Sequence, residues 1–513
     1  MVKNMFQKNV LVYLIVFVFL FVAILTGWTY LKRSSNEKYN VIIIDIDHVR
    51  ADALPCYGYE RNTTPNICSL AESGVLFKNN YSESYWTLPS IATILTSLYP
   101  SAHKVSTAYR DAISDQMTTL SEVYHNNGYK TAFIGPKEGD VSYLPAGFKR
   151  GIDLRVGVGI EGWKEAIGNL TGGGQPFFAY FFAGELHIPY VLAEGNKPIF
   201  NVENLDNFPD TQRKVDEITN AYLLENYRDV FTEGAIEAKP DIFKDIKVSG
   251  KQQVLDYYNS FGHPSDMVKA PWDVEYAAFM EYLDKNVKGN PLYRDYMKNL
   301  YDTKLNVIDN DVGILINDLR SKGLWKNTVI VVISNHGEEF EEHGGFAHYK
   351  SLYNEVLHTP LIIYKPGYKP TVVENISENV DLYPTLLSLT NIHYTNKIQG
   401  KDLSPLMLGK KVDKKYAIGE MDNKSVSIQD NEWKLIIRDY RSENPELELF
   451  NKEGDYKEQH NLSDKYEDIV SDLSAKLRTI LTESEKLYNV TPSDFPGWMD
   501  ESTRKRLIER GYF

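Results

Sequence analysis

Three uninterrupted apolar runs define the framework of the chain. They occupy residues 41–44, 177–183 and 328–333, and each is typical of a strand buried on both faces. Polar residues follow each run directly. Because ligands of open α/β sheets bind at the carboxyl ends of the strands, we predict that these polar groups converge on one site. They are Asp45, Asp47 and His48 after the first run, Glu185 and His187 after the second, and Asn335 and His336 after the third.

The pattern between and beyond these runs predicts the domain organisation. Helical periodicity over residues 301–319 precedes the third run, and alternating strands and helices predict an α/β fold. Residues from about 195 to 300 are polar without clear periodicity, which indicates an insertion over the sheet. Short strands around residues 433–437 and an amphipathic helix near 469–481 follow. We predict a main domain over residues 39–395 and a smaller α+β subdomain over residues 396–513.

An N-terminal apolar segment predicts a membrane anchor. Residues 10–31 carry no charge, and about 22 residues at roughly 1.5 Å each can cross a bilayer core. A cleaved signal peptide is the alternative, but the run is longer than a typical signal-peptide core and no small-x-small site follows it. We predict a single-pass membrane protein anchored by residues 1–33. Lysine and arginine flank both ends, so charge leaves the sidedness open, and we expect the main domain outside the cytoplasm.

Composition excludes several classes of protein. A hydrophobic fraction of 42% and a charged fraction of 25% are those of a globular chain. The formal net charge of -14 opposes binding to a polyanion, so no nucleic-acid partner is expected. Cys56 and Cys68 are the only cysteines; one disulfide is possible outside the cytoplasm, but the spacing resembles no zinc site. Whether they pair stays open.

Another helix is predicted to begin near Thr87. Pro89 suits a first turn, and apolar residues at positions 91, 94, 95 and 98 follow the spacing of a buried stripe. Unpaired N–H groups and the positive end of the helix dipole favour an anion there, either an ionised hydroxyl or a bound phosphate or sulfate. Alternatively, Thr87 only caps the helix.

The segment at residues 334–348 is rich in histidine and acidic residues. Carboxylate, amide and imidazole groups supplied by strand ends would form an oxygen and nitrogen shell for a divalent cation, with open positions for substrate. A solvated acidic loop with incidental histidines is the alternative.

Taken together, the motifs resemble the sulfatase family of the alkaline phosphatase superfamily. The resemblance covers residues 40–52, 56–59, 62–66, 73–77, 86–100, 185–190, 334–344, 381–387, 400–406 and 433–462, in family order. It implies an alkaline-phosphatase-like sheet sandwiched by helices and one divalent metal ion (Ca, Mg, Mn or Zn) beside a nucleophile. It places Thr87 at the nucleophile position and His187 where ester oxygens are held. The matching metal positions are Asp47, Thr87, Asn335 and His336, and further candidates for substrate contacts are His343, His348, Lys350 and Lys137.

Departures from the family pattern bear on the reaction. Sulfatases proper oxidise a cysteine or serine to formylglycine, whereas Thr87 cannot form that aldehyde and Ile91 stands where the family has arginine. Threonine resembles the branch of phosphoethanolamine and phosphoglycerol transferases and lipoteichoic acid synthases, membrane-anchored enzymes with a phospho-threonine intermediate. Asn335 and His48 replace acidic residues, so charge balance favours one cation. Asp45 is either a further ligand or a hydrogen-bonded carboxylate at the strand end.

These observations favour a membrane-anchored, metal-dependent hydrolase of sulfate or phosphate esters with Thr87 as nucleophile. Its partner would be a sulfated or phosphorylated glycan, lipid or small-molecule ester. Two alternatives stay open. One is a transferase of the phosphoethanolamine or phosphoglycerol type acting on a cell-envelope lipid or glycan, and the other is a degenerate family member that only binds anions.

Overall fold

The computed structural model describes residues 38–105, 112–135, 147–184, 186–187, 190, 199–200, 288–348, 351–421 and 424–488. The predicted anchor, most of the predicted insertion, Lys137 and Lys350 lie outside these ranges. Within them, no helix combines the length and the apolar character needed to cross a membrane.

The first ten strands belong to a large sheet and a small hairpin. They are β1 (Asn40–Ile46), β2 (Val75–Tyr81), β3 (Lys130–Ile134), β4 (Leu154–Val156), β5 (Phe177–Ala183), β6 (Thr328–Ile333), β7 (Glu339–Phe340), β8 (Phe346–Ala347), β9 (Leu361–Tyr364) and β10 (Thr371–Glu378). Eight of them form one sheet in the order β10-β2-β9-β6-β1-β5-β3-β4, and β7 pairs with β8. Strand β9 runs antiparallel to β2 and β6, so the large sheet is mixed.

The three apolar runs form the centre of this sheet. Strand β1 lies between β5 and β6 and is parallel to both. Asp45 is in register with Phe182 on one side and Ile333 on the other. The carboxyl ends of all three strands therefore meet at one edge, as the sequence predicted.

Helices cover both faces of the sheet. The α-helices are α1 (Pro65–Ser73), α2 (Thr87–Thr96), α3 (Pro100–His103), α4 (Leu120–Asn126), α5 (Gly159–Thr171), α6 (Pro291–Ser321), α7 (Asn354–Leu357), α8 (Leu382–Leu389) and α9 (Glu467–Glu485), and the 3-10 helices are Ala51–Ala53, Pro55–Tyr57, Trp325–Asn327, Asn379–Asp381 and Leu406–Leu408. Ile42 and Ile44 pack with α1, α5 and α6, whereas Val41 and Ile43 pack with α2, α4 and α8. Alternation along β1 thus serves two cores, and the predicted helix-covered sheet is confirmed.

Helix α6 begins ten residues before the predicted start. Tyr296, Met297 and Leu300 are buried against the sheet, and they continue the helical spacing toward the N-terminus. The polar residues between them masked this periodicity in the sequence. The predicted insertion, which extended to about residue 300, therefore overlaps the first turns of α6.

The C-terminal part contains a second, smaller sheet. Strands β11 (Ala417–Met421), β12 (Ser425–Gln429), β13 (Trp433–Arg438) and β14 (Glu446–Asn451) are antiparallel and pair in chain order. Helix α9 packs Leu473 and Leu477 against Ile428 and Leu435 of this sheet. These elements lie within the predicted subdomain, and the strand near residue 433 and the amphipathic helix are present as predicted.

Candidate active site

Thr87 is the first residue of helix α2. Trp86 is the N-cap, with extended backbone angles and no side-chain cap hydrogen bond. Thr87 is therefore inside the helix and does not act as its N-cap, so the capping interpretation is wrong. Its side chain is partly exposed, whereas the next nine residues of α2 are buried. The hydroxyl thus stands at the positive end of a rigidly packed helix, within reach of a ligand from solvent.

The Thr87 hydroxyl meets two residues from the edge of the central sheet. Thr87 Oγ1 lies 3.4 Å from Asp47 Oδ1 and 3.2 Å from His336 Nε2. The distance between Asp47 Oδ1 and His336 Nε2 is 3.5 Å. Ligands about 2.1 Å from one cation lie ~3.4 Å apart in a tetrahedron, so these three donor atoms fit a single divalent cation.

Hydrogen bonds fix the turn that carries Asp47. Its backbone N–H donates to the Ala183 carbonyl at 3.0 Å, which ties the turn to β5. Two residues on, the Val49 N–H donates to Ser334 Oγ at 2.9 Å, which ties it to the residue after β6. Tyr301 of α6 donates to the His48 carbonyl at 2.9 Å. Three elements therefore hold the turn, although His48 has a φ of 63° in the left-handed region, where backbone strain is tolerated only if the surroundings impose it.

The histidine and asparagine after β6 are fully buried. His336 Nδ1 lies 2.9 Å from the Gly337 carbonyl, so with Nδ1 as the donor the lone pair is on Nε2, which faces Thr87 and Asp47. Burial lowers the pKa of His336 well below its ordinary value, and His348 lowers it further. Asn335 Oδ1 accepts from the His336 N–H at 2.7 Å, and the Asn335 side chain lies close enough to Asp47 to lower the pKa of that carboxyl group. A neutral imidazole is the form that binds metals.

Four histidines meet at this edge of the sheet. The ring centroid of His48 lies 4.7 Å from that of His187, 4.6 Å from that of His336 and 4.6 Å from that of His348. His48 is fully buried, and neither ring nitrogen has a hydrogen-bond partner within the described ranges. Burial lowers its pKa well below the ordinary value, and the three neighbouring histidines lower it further. His48, which the sequence comparison treated as a weakening of the site, is thus its central ring.

Glu338 is a residue of this site to which sequence reasoning assigned no role. It is fully buried, Oε1 lies 2.9 Å from His348 Nδ1, and Oε2 accepts a hydrogen bond from Tyr190 at 2.9 Å. Burial raises the pKa of Glu338 to about 8, although nearby His187 and the Tyr190 hydrogen bond act in the opposite direction. The signals in the sequence were its position two residues after His336 and its place within the family-like segment 334–344.

Two buried carboxyl groups, Asp45 and Asp47, lie beside the histidines. Burial raises the pKa of Asp47 well above its ordinary value, and Asp45 raises it further. Burial also raises the pKa of Asp45 to about 7, while the hydrogen bond from Tyr180 to Asp45 Oδ2, at 2.6 Å, lowers it. Asp45 therefore takes the hydrogen-bonded position at the strand end. Burying an ionised carboxylate costs free energy unless the group is paired or coordinates a metal. A cation bound at Asp47 would therefore offset this cost of burial.

His343 belongs to a different network. Nδ1 contacts Glu355 Oε1, Nε2 lies 3.0 Å from the Glu458 carbonyl, and the ring stacks on Tyr353 with centroids 3.5 Å apart. Both ring nitrogens therefore face acceptors. Only the protonated ring, with an N–H on each nitrogen, can donate to both of them. Burial alone would lower the pKa of His343, but Glu355 outweighs it and raises the pKa to about 9. Because Glu458 lies between β14 and α9, this histidine connects the C-terminal sheet region with the segment after β7.

Replacing His343 with glutamine should destabilise the chain in a pH-dependent way. The folded pKa of about 9 exceeds the ordinary value of 6.5, so protonation of His343 contributes stability fully below about pH 6.5 and this contribution disappears as pH rises through about 9. We expect a loss of roughly 1–3 kcal/mol at pH 6, typical of a hydrogen bond to a charged group. Thermal unfolding from pH 6 to 9.5 measures it, with His460→Gln as the exposed control. A difference that stays constant with pH would contradict this ionic role.

The structure therefore separates the predicted site residues into three sets. It brings together Asp47, Thr87, His187, Asn335, His336 and His348 and adds His48 and Glu338. It places His343 with Glu355 and Glu458. Lys137 and Lys350 lie outside the described residues.

Comparisons with known proteins identify the family of the chain. A family model described as Sulfatase matches residues 39–392, and one described as N-sulphoglucosamine sulphohydrolase, C-terminal, matches residues 341–484. An N-acetylglucosamine-6-O-sulfatase of Bacteroides thetaiotaomicron is 24% identical over 528 residues, covering 93% of this chain and 92% of the relative.

Solved structures share the fold. One, of a protein in complex with its substrate D-glucosamine-2-N,6-O-disulfate, aligns with a TM-score of 0.63 and 23% identity over 87% of this chain and 98% of that chain. A phosphonate monoester hydrolase of Agrobacterium radiobacter aligns with a TM-score of 0.57 and 17% identity over 87% and 96%. The first family model alone spans well over half of the chain. The chain therefore belongs to the sulfatase family of the alkaline phosphatase superfamily and is an ester hydrolase of that family.

Proposed function

We propose that this chain is a membrane-anchored, metal-dependent hydrolase of sulfate or phosphate esters that uses Thr87 as its nucleophile. The observation that carries the proposal is the position of Thr87 Oγ1, within 3.4 Å of Asp47 Oδ1 and 3.2 Å of His336 Nε2 at a helix N-terminus. The residues proposed to hold one divalent cation are Asp47, Thr87, Asn335 and His336. A cation bound there would lower the pKa of the Thr87 hydroxyl and offset negative charge that develops on the ester.

In the proposed reaction, Thr87 Oγ1 forms a bond to sulfur or phosphorus while the bond to the departing alcohol oxygen breaks. The Thr87 proton leaves to solvent, and the alcohol takes up a proton from solvent as it departs. Water then attacks the Thr87 ester and releases sulfate or phosphate. The uncapped N–H groups in the first turn of α2 and its dipole favour the oxyanion, and His187 contributes to holding the ester oxygens.

Threonine at this position supports direct esterification over formylglycine chemistry. The side chain carries a methyl group on Cβ, so oxidation to an aldehyde is not available to it. Ile91, at the position of the family arginine, is fully buried in the core beneath α2. A polar partner from position 91 is therefore absent, and the proposal assigns activation of Thr87 to Asp47, His336 and the cation.

The substrate class we propose follows two relatives. One is named as a sulfatase of N-acetylglucosamine 6-O-sulfate, and another was solved with a disulfated glucosamine. We propose a sulfated or phosphorylated glycan, lipid or small ester for this chain, with 6-O-sulfated glucosamine as the first to test.

The proposed location is a membrane, with residues 1–33 as anchor, residues 39–395 as catalytic domain and residues 396–513 as C-terminal subdomain. The apolar run at residues 10–31 supports the anchor. Cys56 and Cys68 form a disulfide with their Cα atoms 5.4 Å apart. Because structural disulfides are rare in a reducing cytosol, this pair supports a catalytic domain outside the cytoplasm.

A panel of esters tests the proposed activity. We expect the full chain to hydrolyse at least one of 4-nitrophenyl sulfate, 4-nitrophenyl phosphate, a phenylphosphonate monoester and glucosamine 6-sulfate. Removing divalent cations with a chelator should stop turnover. Adding them back should restore it, because Asp47 and His336 would again hold a cation at Thr87. Full turnover by protein shown to contain no divalent metal would contradict the proposal.

A transferase is the second candidate, and threonine at the nucleophile position together with the predicted anchor favours it. It differs only in the second step, where an acceptor alcohol replaces water. Turnover in the presence of glycerol or ethanolamine separates the two. A product in which the acceptor carries the phosphoryl group would identify a transferase, whereas free phosphate or sulfate in proportion to the released alcohol identifies a hydrolase.

A further inference from the structure

We propose that His48, His187 and His348 form a second cation site, for Zn²⁺ or a similar borderline metal ion, beside the site of Asp47 and His336. The inference rests on the proposed function, because it places both cations at the ester that reacts with Thr87. It replaces the expectation of a single cation that charge counting on the sequence favoured.

The three imidazoles are close enough to share one ion. One ring nitrogen from each of the three lies within 4.8 Å of the other two. Ligand nitrogens at Zn–N distances of about 2.0–2.1 Å lie ~3.4 Å apart, so each ring needs to move by about 1 Å or less. Imidazole suits Zn²⁺ and its neighbours, whereas Ca²⁺ and Mg²⁺ prefer oxygen ligands. The donor set therefore selects the class of metal.

His48 supplies an independent sign of a ligand. Its side chain is fully buried, and both ring nitrogens are without a hydrogen-bond partner among the residues that the structure describes. Buried polar groups are normally satisfied, so an imidazole in this condition indicates a missing partner. Nδ1 lies 3.3 Å from Asp47 Oδ2 without the geometry of a hydrogen bond, and this contact places His48 beside the first cation site. The other nitrogen remains for a second ion.

Outer contacts orient His348 for coordination. Glu338 Oε1 lies 2.9 Å from His348 Nδ1, and Tyr190 holds the other carboxylate oxygen. With Nδ1 as the donor to Glu338, the lone pair of His348 is on Nε2. A carboxylate that accepts the second N–H of a histidine is the usual companion of a metal-bound imidazole, because it fixes the ring and strengthens the ligand.

A second cation would change how the ester is bound. His187 would then hold the ester oxygens through the cation, and a direct N–H contact would not be needed. Two cations on either side of the reacting group can stabilise both the attacking and the leaving oxygen of a displacement. The Thr87 hydroxyl lies within 3.4 Å of Asp47 and His336, so a cation held by the three histidines would contact the substrate or the leaving group instead of Thr87.

Metal stoichiometry tests the inference. Metal-free full chain is titrated with Zn²⁺ and, separately, with Co²⁺, with elemental analysis after gel filtration and the d–d absorption of Co²⁺ as readouts. We expect two equivalents for the wild type and for His460→Gln, an exposed-histidine control. His348→Gln and His187→Gln should each retain one equivalent, and excess Ca²⁺ should not displace the second. Glu338→Gln should weaken the second equivalent about 10–100-fold and leave the first nearly unchanged.

The outcomes separate this inference from the proposed function. One equivalent in the wild type, or two in both His348→Gln and His187→Gln, would overturn the second site even if the chain hydrolyses esters. Two equivalents that fall to one in the folded variants would support it even if no ester is turned over, and the proposed function would then fail alone. Circular dichroism identifies folded variants, and Glu338→Gln, which keeps all three histidines, provides the comparison if a histidine variant does not fold.

Discussion

Replacing Thr87 with alanine should reduce turnover of the best ester substrate by at least ~10³-fold, with the chain still folded. Removing a catalytic nucleophile has an effect of this size or larger in enzymes that form a covalent intermediate. The Thr87 side chain is partly exposed and its hydroxyl contacts Asp47 and His336, so its loss removes little packing. Steady-state kinetics measure the loss of turnover, and thermal unfolding of the same preparation shows whether the variant is still folded.

Thr87→Ser is the matched control, because it keeps the hydroxyl and removes only the methyl group. We expect it to retain far more activity than the alanine variant and to bind the same number of cations. If Thr87→Ala keeps turnover near that of the wild type, Thr87 is not the nucleophile. If the serine variant is as inactive as the alanine variant, the hydroxyl is not what the reaction needs.

Replacing Asp47 with asparagine should change stability in opposite directions with and without metal. In the metal-free chain at neutral pH, the Asp47 carboxylate is buried beside Asp45 and its ionisation is disfavoured. Burying Asp47 therefore costs free energy, whether it stays ionised or takes up a proton. Asparagine avoids this cost, so we expect the free energy of unfolding to rise by roughly 1–3 kcal/mol. With cation at 1,000 times its Kd, the wild type gains about 4.1 kcal/mol, and the variant gains far less because it has lost a ligand. Without metal, Asp47→Asn should therefore melt at a higher temperature than the wild type, and with metal it should melt at a lower one.

Thermal unfolding with a chelator and with excess Zn²⁺ checks this reversal. Asp413→Asn, which alters an exposed carboxylate, should leave the response to metal unchanged. Turnover of Asp47→Asn should also fall, since the variant no longer holds a cation at Thr87. An Asp47→Asn protein that is stabilised by Zn²⁺ as strongly as the wild type would show that Asp47 is not a ligand.

The sequence predicted the frame of the site because its signals are local. Continuous apolar runs reveal strands β1, β5 and β6, and the parallel sheet then requires their polar ends to meet. Asp47 and His336 therefore could be placed together from residues far apart in the chain. Thr87 could be placed at a helix start from the proline and the apolar spacing that follow it.

The remaining features depend on packing that no local pattern reveals. His48 looked like the loss of an acidic ligand, but its role depends on His187 and His348, which reach it from other parts of the chain. Glu338 could not be distinguished from its acidic neighbours in the sequence, because only the folded chain packs it against His348 and Tyr190.

His343 shows a different outcome. It lies in the same histidine-rich segment as His336 and His348, and the family resemblance made it a candidate for a substrate contact. The short hairpin of β7 and β8 separates these residues, and His343 instead meets Glu355 and the loop that contains Glu458. Sequence spacing alone could not decide this, because only the folded chain brings Glu355 and the Glu458 carbonyl to the two ring nitrogens.

A crystal soaked with Zn²⁺ and inorganic phosphate tests the central claim most directly, with the metal located by anomalous scattering. We predict an anomalous peak about 2.0–2.3 Å from Thr87 Oγ1, Asp47 Oδ1 and His336 Nε2, with phosphate bound or joined to Thr87 Oγ1 at the start of α2. A metal that binds elsewhere while these three atoms stay unligated, with phosphate away from Thr87, would contradict the account.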